Sequence, residues 1–89
     1  MELVILVATL ESLEKEDCKP LPVFRVWVDE EVLEFFAQKP IGWSFDDWIK
    51  EKLERKGINF PKDVVLLSEH PIWVLNRGFD VSLLPWVAL

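Results

Sequence analysis

Reactive and permissive residues are scarce in this 89-residue chain, which has one cysteine, one histidine and three glycines. With Cys18 alone, no disulfide can close within the chain and no cysteine cage for zinc can be assembled. A reducing cytoplasm is the expected compartment. A nucleophile and base pair would have to be built from Cys18 and His70. Both are read as loop residues, and Glu16, Asp17 and Glu69 beside them oppose activation of a thiol. Gly42, Gly57 and Gly78 are each taken up by a turn or a helix cap, so no glycine-rich phosphate loop is present. Long apolar runs are absent too: charges interrupt each one well short of the roughly 18–20 residues a bilayer span needs. The apolar opening does not fit a secretion signal, because Glu2 precedes it and Glu11 follows it.

Positive charge is also in short supply. Ten Lys and Arg stand against sixteen Asp and Glu, a net charge of −6, which argues against nucleic acid or anionic lipid as a partner and favours a basic protein surface. Nine of the acids lie in residues 1–45, against four bases; residues 46–89 carry seven acids and six bases. The negative field therefore belongs to the front half. Few residues are of the thermolabile kinds, and Glu and Lys supply most of the charge, a composition that suits a thermophilic source.

What is present is apolar surface: 51% of the residues are hydrophobic, far from the composition of disordered chains. The length suits one α+β domain over residues 1–89 that needs no staple. Residues 2–10 read as a strand covered on both faces and central in its sheet. A proline-bearing connection leads to a second strand at 23–28, with Phe24, Val26 and Val28 on one face and Val23, Arg25 and Trp27 on the other. Asp29 is the cap of a first helix that Pro40 ends, with Val32, Leu33 and Phe36 as its apolar stripe. Ser44 opens a second helix with Asp47 in an approximate capping box, and Phe45, Trp48, Ile49 and Leu53 form its buried face. Asp46 with Lys50 and Glu51 with Arg55 are outer-surface pairs at helical spacing, and Gly57 closes the helix. Residues 63–67, 72–75 and 79–83 read as three further strands, the last two joined by a turn at Asn76-Arg77-Gly78. The order ββααβββ implies a small antiparallel or mixed sheet of about five strands with the two helices packed on one face.

Five tryptophans (Trp27, Trp43, Trp48, Trp73, Trp86) and six phenylalanines are more aromatic surface than one small core hides with ease. The carboxylates, by contrast, serve as helix caps, first-turn acids and ion-pair partners, so no catalytic, metal-binding or cofactor-binding residue is assigned and no cofactor is expected. Residues 81–89 carry no charged side chain, and this segment either completes the sheet or pairs with a second copy, with Pro85 suited to an edge. The expected function is a non-enzymatic protein–protein interaction module that self-associates, most simply as a dimer. Its candidate interface is Trp27, Trp86, Leu84, Val87 and Leu89.

Two alternatives stay open. Residues 23–57 resemble the ribbon-helix-helix family of DNA-binding regulators and antitoxins: a short strand from Val23 to Val28, Asp29-Glu30-Glu31-Val32-Leu33 opening one helix, a glycine-containing turn, and Ser44-Phe45-Asp46-Asp47-Trp48-Ile49 opening another. The resemblance implies dimerisation through the strand, with Arg25 and Trp27 entering a major groove. The other alternative is a small enzyme or ligand-binding protein whose apolar pocket is lined by Trp48, Trp73 or Phe79.

Overall fold

A computed structural model describes residues 1–15, 19–38 and 45–89. Cys18, the Pro40 helix stop, Gly42, Trp43 and the Ser44 helix start lie outside the described residues. The Val, Ile and Leu run at the front forms β1 (Glu2–Thr9), whose alternate side chains point to opposite faces and are buried on both. It is central, as the doubly apolar sequence implies. β2 (Leu21–Trp27) and β3 (Val64–Glu69) lie antiparallel on either side of it, and a two-residue strand, β4 (Trp86–Val87), runs parallel to β2 at the far edge. The sheet order is β3-β1-β2-β4. An irregularity opposite Ile5 and Leu6 skips Val23, which packs against the same core as Phe24 instead of sharing a face with Arg25 and Trp27.

Two crossings link strands that run the same way. A turn of helix, α1 (Leu10–Leu13), capped by the Thr9 hydroxyl on the Ser12 N–H at 3.0 Å, ends β1. After β2, α2 (Glu30–Ala37) and α3 (Phe45–Arg55) pass over one face and deliver the chain to β3. Ile49 and Leu53 of α3 are fully buried there against Leu3, Ile5, Phe24, Val26, Val28 and Leu66. From β3 the chain crosses the opposite face through α4 (Pro71–Asn76) and a 3-10 turn (Val81–Leu83) to reach β4. Val74 and Val81 cover Val4 and Leu6 on that side. The protein is α+β with a mixed sheet, and its two faces bury separate cores. No helix among the described residues is long and apolar enough to cross a membrane.

Among the described residues the expected five strands are four: residues 72–75 are helical and residues 79–83 are not a strand, while the tail adds β4. The reason is local. His70 occupies the N-cap position, its Nδ1 accepting from the Ile72 N–H at 3.2 Å, and Pro71 sits in the first turn, where its missing N–H costs nothing. At the other end Gly78, at φ +92°, donates to the Leu75 carbonyl and Phe79 donates to the Val74 carbonyl, the paired bonds of a Schellman cap. Gly78 thus ends a helix where a hairpin turn was expected. Start and stop signals outweigh the β-propensity of Ile72, Trp73 and Val74. Next, the Asp80 carboxylate accepts from the Ser82 N–H (3.0 Å) and hydroxyl (2.6 Å), winding residues 81–83 into a 3-10 turn. The new helix lies on the face opposite α2 and α3, which corrects the one-sided packing.

Gly57 makes the same cap on α3, at φ +91°, with Gly57 donating to Glu54 and Ile58 to Leu53. An added Cβ would meet nothing within 4 Å at either glycine. Gly57→Ala and Gly78→Ala are therefore expected to lose about 1–2 kcal/mol each, from backbone conformation alone. Chemical denaturation checks this, and a neutral Gly78→Ala would contradict the cap.

A candidate interaction surface on the crossover face

Arg25 organises the β4 edge. Alternation along β2 turns its side chain away from Phe24 and Val26 and toward the face crossed by α4. Its Nε and Nη2 both donate to the Leu84 carbonyl, at 3.0 and 2.8 Å, while its backbone N–H donates to the Pro85 carbonyl at 2.8 Å. Nη1 lies 3.5 Å from the Glu2 carboxylate, and the guanidinium sits 4.5 Å from the centre of the Trp86 ring. One arginine thus holds the last segment of the sheet, and Lys56 Nζ adds a bond to the Ala88 carbonyl. The uncharged tail completes its own chain's sheet.

Several large apolar side chains on and around this face stand in water. Leu83 in the 3-10 turn is 81% exposed, Trp73 of α4 62% and Trp86 of β4 52%. Ile72 and Leu75 stand exposed on α4, which buries only Val74 among its six residues. Trp27, 62% exposed, occupies the corner where β2 ends and also borders a cleft of about 220 Å³ shared with Val32, Trp48 and Leu89. Beside the far end of α4, Arg77 forks onto Glu69 through bonds of 2.8 and 3.0 Å. With Lys19, Pro20 and Phe79 this pair lines a cleft of about 610 Å³.

The anticipated interface set divides. Trp27 and Trp86 are outside, whereas Leu84 packs on the core beneath α4, and Val87 and Leu89 pack on the core beneath α3. Sequence reasoning missed Leu83, Ile72 and Leu75, and set Trp73 in a possible pocket. The signal for all but Leu83 was the His70-Pro71 start and Gly78 stop, which make 71–76 a helix with one buried side. The pocket residues Trp48 and Trp73 lie on opposite faces of the sheet and do not converge. Nor does the fold leave β2 open in the manner of a DNA-reading ribbon. It carries β1 on one side and β4 on the other, and the Arg25 guanidinium is engaged within the chain.

A second apolar groove, about 310 Å³, opens between α2 and α3 and is lined by Glu31, Val32, Phe35, Phe36 and Trp48. Phe36 meets Phe45 edge-on at 5.5 Å there, and Phe45 stacks on Trp48 at 5.8 Å. At the base of α3 the expected outer pair of Asp46 and Lys50 is not formed. Asp46 turns inward to accept the Ser68 hydroxyl at 2.6 Å, and Lys50 Nζ donates to the Val64 carbonyl, so both side chains tie α3 to β3. The Glu51–Arg55 pair is made, at 2.6 Å.

Burial raises the Asp46 pKa above 3.8; the neighbouring Asp47 charge adds to this, and the Ser68 hydrogen bonds act in the other direction. The folded chain therefore holds this proton more tightly than the unfolded chain. Stability falls as pH rises from 3.8 through the folded pKa, and the loss stays constant above it. Asp46→Asn keeps an acceptor for Ser68 and removes the half-buried charge. Its unfolding midpoint at neutral pH is expected to exceed that of the parent, with the difference shrinking as pH falls toward 3.8. A lower midpoint at neutral pH would mean that the charge itself is needed by Ser68. Among the described residues no group of three or more His, Cys, Asp or Glu is placed to hold a metal ion. Comparison with family models, curated proteins and solved structures found no match.

Proposed function

We propose that the protein is a non-enzymatic protein–protein interaction module that self-associates, with a dimer as the working state. The observation that carries this reading is the number of large apolar side chains exposed to water on hydrogen-bonded elements, above all Leu83, Trp73, Trp27 and Trp86. Single exposed apolar residues are ordinary on protein surfaces, but several together on one layer mark an interaction site. Tryptophan is also the side chain most enriched among residues that dominate binding energy. A cytoplasmic setting accords with the single cysteine, and few thermolabile residues accord with a thermophilic source. Should a second protein bind as well, the net charge of −6 favours a basic surface on it.

Size-exclusion chromatography with light scattering across a concentration series tests the reading. A mass above that of one chain, falling on dilution, is expected; a single-chain mass throughout would remove the proposal. Truncation before Pro85 is a poor probe. It deletes β4 along with the Pro85 carbonyl that the Arg25 backbone N–H bonds, so a loss of association would not be separable from a loss of fold.

A further inference from the structure

We infer that the occupant of the crossover face is the same face of a second copy, in a closed two-fold dimer centred on α4, the 3-10 turn and β4. This rests on the self-association proposed above and assigns it a place. The exposed parts of Ile72, Trp73, Leu75, Leu83 and Trp86 amount to roughly 650 Å², with Trp27 at the corner of the sheet, approaching the roughly 800 Å² that each partner contributes to a stable interface of standard size.

Charge selects a copy of the chain as the occupant. In a two-fold contact every charge faces a surface carrying the same charges, so an acidic chain can meet itself only where its charges are balanced. Among the described residues of this face they are: Glu2 pairs with Arg25, Glu69 with Arg77, and Asp80 is bonded to Ser82. Residues 70–89 carry only Arg77 and Asp80 as charges, so the surplus of acid lies elsewhere. The groove between α2 and α3 is the contrary case. Glu31 lines it, with Glu30 and Glu34 on the same helix, and the cation beside it is Lys52, 5.5 Å from the Trp48 ring, so acid outnumbers base there among the described residues.

α4 is capped at both ends and forked to β3 through Arg77, and Trp86 is stacked on Arg25, so association has little backbone ordering left to impose on this face.

The experiment compares the parent with Leu83→Asp, Trp73→Ser and, as a control on the other layer, Phe35→Ser. Far-ultraviolet circular dichroism and a denaturation midpoint establish that each variant folds, and light scattering gives its mass. The parent is expected to plateau at two chains. Leu83→Asp and Trp73→Ser are each expected to weaken the dimer about 30-fold or more while remaining folded, and Phe35→Ser to leave it unchanged. A dimer that survives both crossover-face substitutions overturns the inference but leaves self-association standing. So does a mass that grows beyond two chains, since a two-fold contact is complete at two. A monomeric parent overturns both.

Discussion

Arg25→Ala is expected to destabilise the fold by about 2–4 kcal/mol, because it leaves the Leu84 carbonyl without two charge-assisted donors and Glu2 without its partner. The effect should concentrate in the last segment. β4 meets β2 over only two paired residues, so without the guanidinium little else holds Leu84, Pro85 and Trp86 in place. Val87 and Leu89, which pack on the core beneath α3, and Leu84, which packs on the core beneath α4, then loosen together. Arg25→Lys is not expected to rescue it, since an ammonium lacks the planar fork that donates twice to one carbonyl while stacking on an indole. Urea denaturation measures the loss, and hydrogen exchange locates it. The Arg25 N–H, bonded to the Pro85 carbonyl, should lose protection before the amides of β1. A loss below about 1 kcal/mol would mean that the tail is held by its apolar contacts alone.

The front of the chain was legible because each element there carries redundant signals. β1 is apolar at almost every position, and that pattern belongs to a strand with both faces covered. Phe24, Val26 and Val28 alternate with Arg25 and Trp27, which set the direction of Arg25 correctly. The alternation could not show what Arg25 would touch. Its partner is a backbone carbonyl 59 residues away, and a carbonyl has no sequence signature. Val23 was misplaced for a related reason: a bulge moves one residue out of register, and nothing in the side chains of β2 announces it.

The back half was harder because its elements are short. Four apolar residues, Ile72 to Leu75, fit a strand as well as a helix by periodicity, and only the flanking His70-Pro71 and Gly78 break the tie. Gly78 in particular has the same left-handed conformation in a hairpin turn and in a helix cap, so it marks an end without naming what ends. The outer face of α4 followed from that misreading. In the tail, Leu84 serves one core and Val87 and Leu89 the other, because the chain passes from the crossover layer into the edge of the sheet between them. Asp46 looked like a surface acid for want of any knowledge that β3 would lie beside α3 and offer it Ser68.

Ile5→Ala and Leu6→Ala change neighbouring residues of equal burial, yet they are expected to report on two different cores. Ile5 faces α3 within the larger cluster of eight buried residues, where close neighbours on every side limit collapse. Its loss should fall toward the upper end of the roughly 2–5 kcal/mol seen for such truncations. Leu6 faces α4 in a cluster of four, under a six-residue helix held by its caps and the Arg77 fork. That lid can settle into the space, so a loss toward the lower end is expected. The signature that separates them is dependence on protein concentration. If the outer face of α4 is a dimer contact, association stabilises the folded chain by mass action, and settling of α4 misplaces Trp73 and Leu75. The midpoint of Ile5→Ala should then rise with concentration as steeply as that of the parent, and the midpoint of Leu6→Ala less steeply. Equal slopes would uncouple α4 from association, and slopes of zero in all three would leave the exposed indoles without a partner of their own kind.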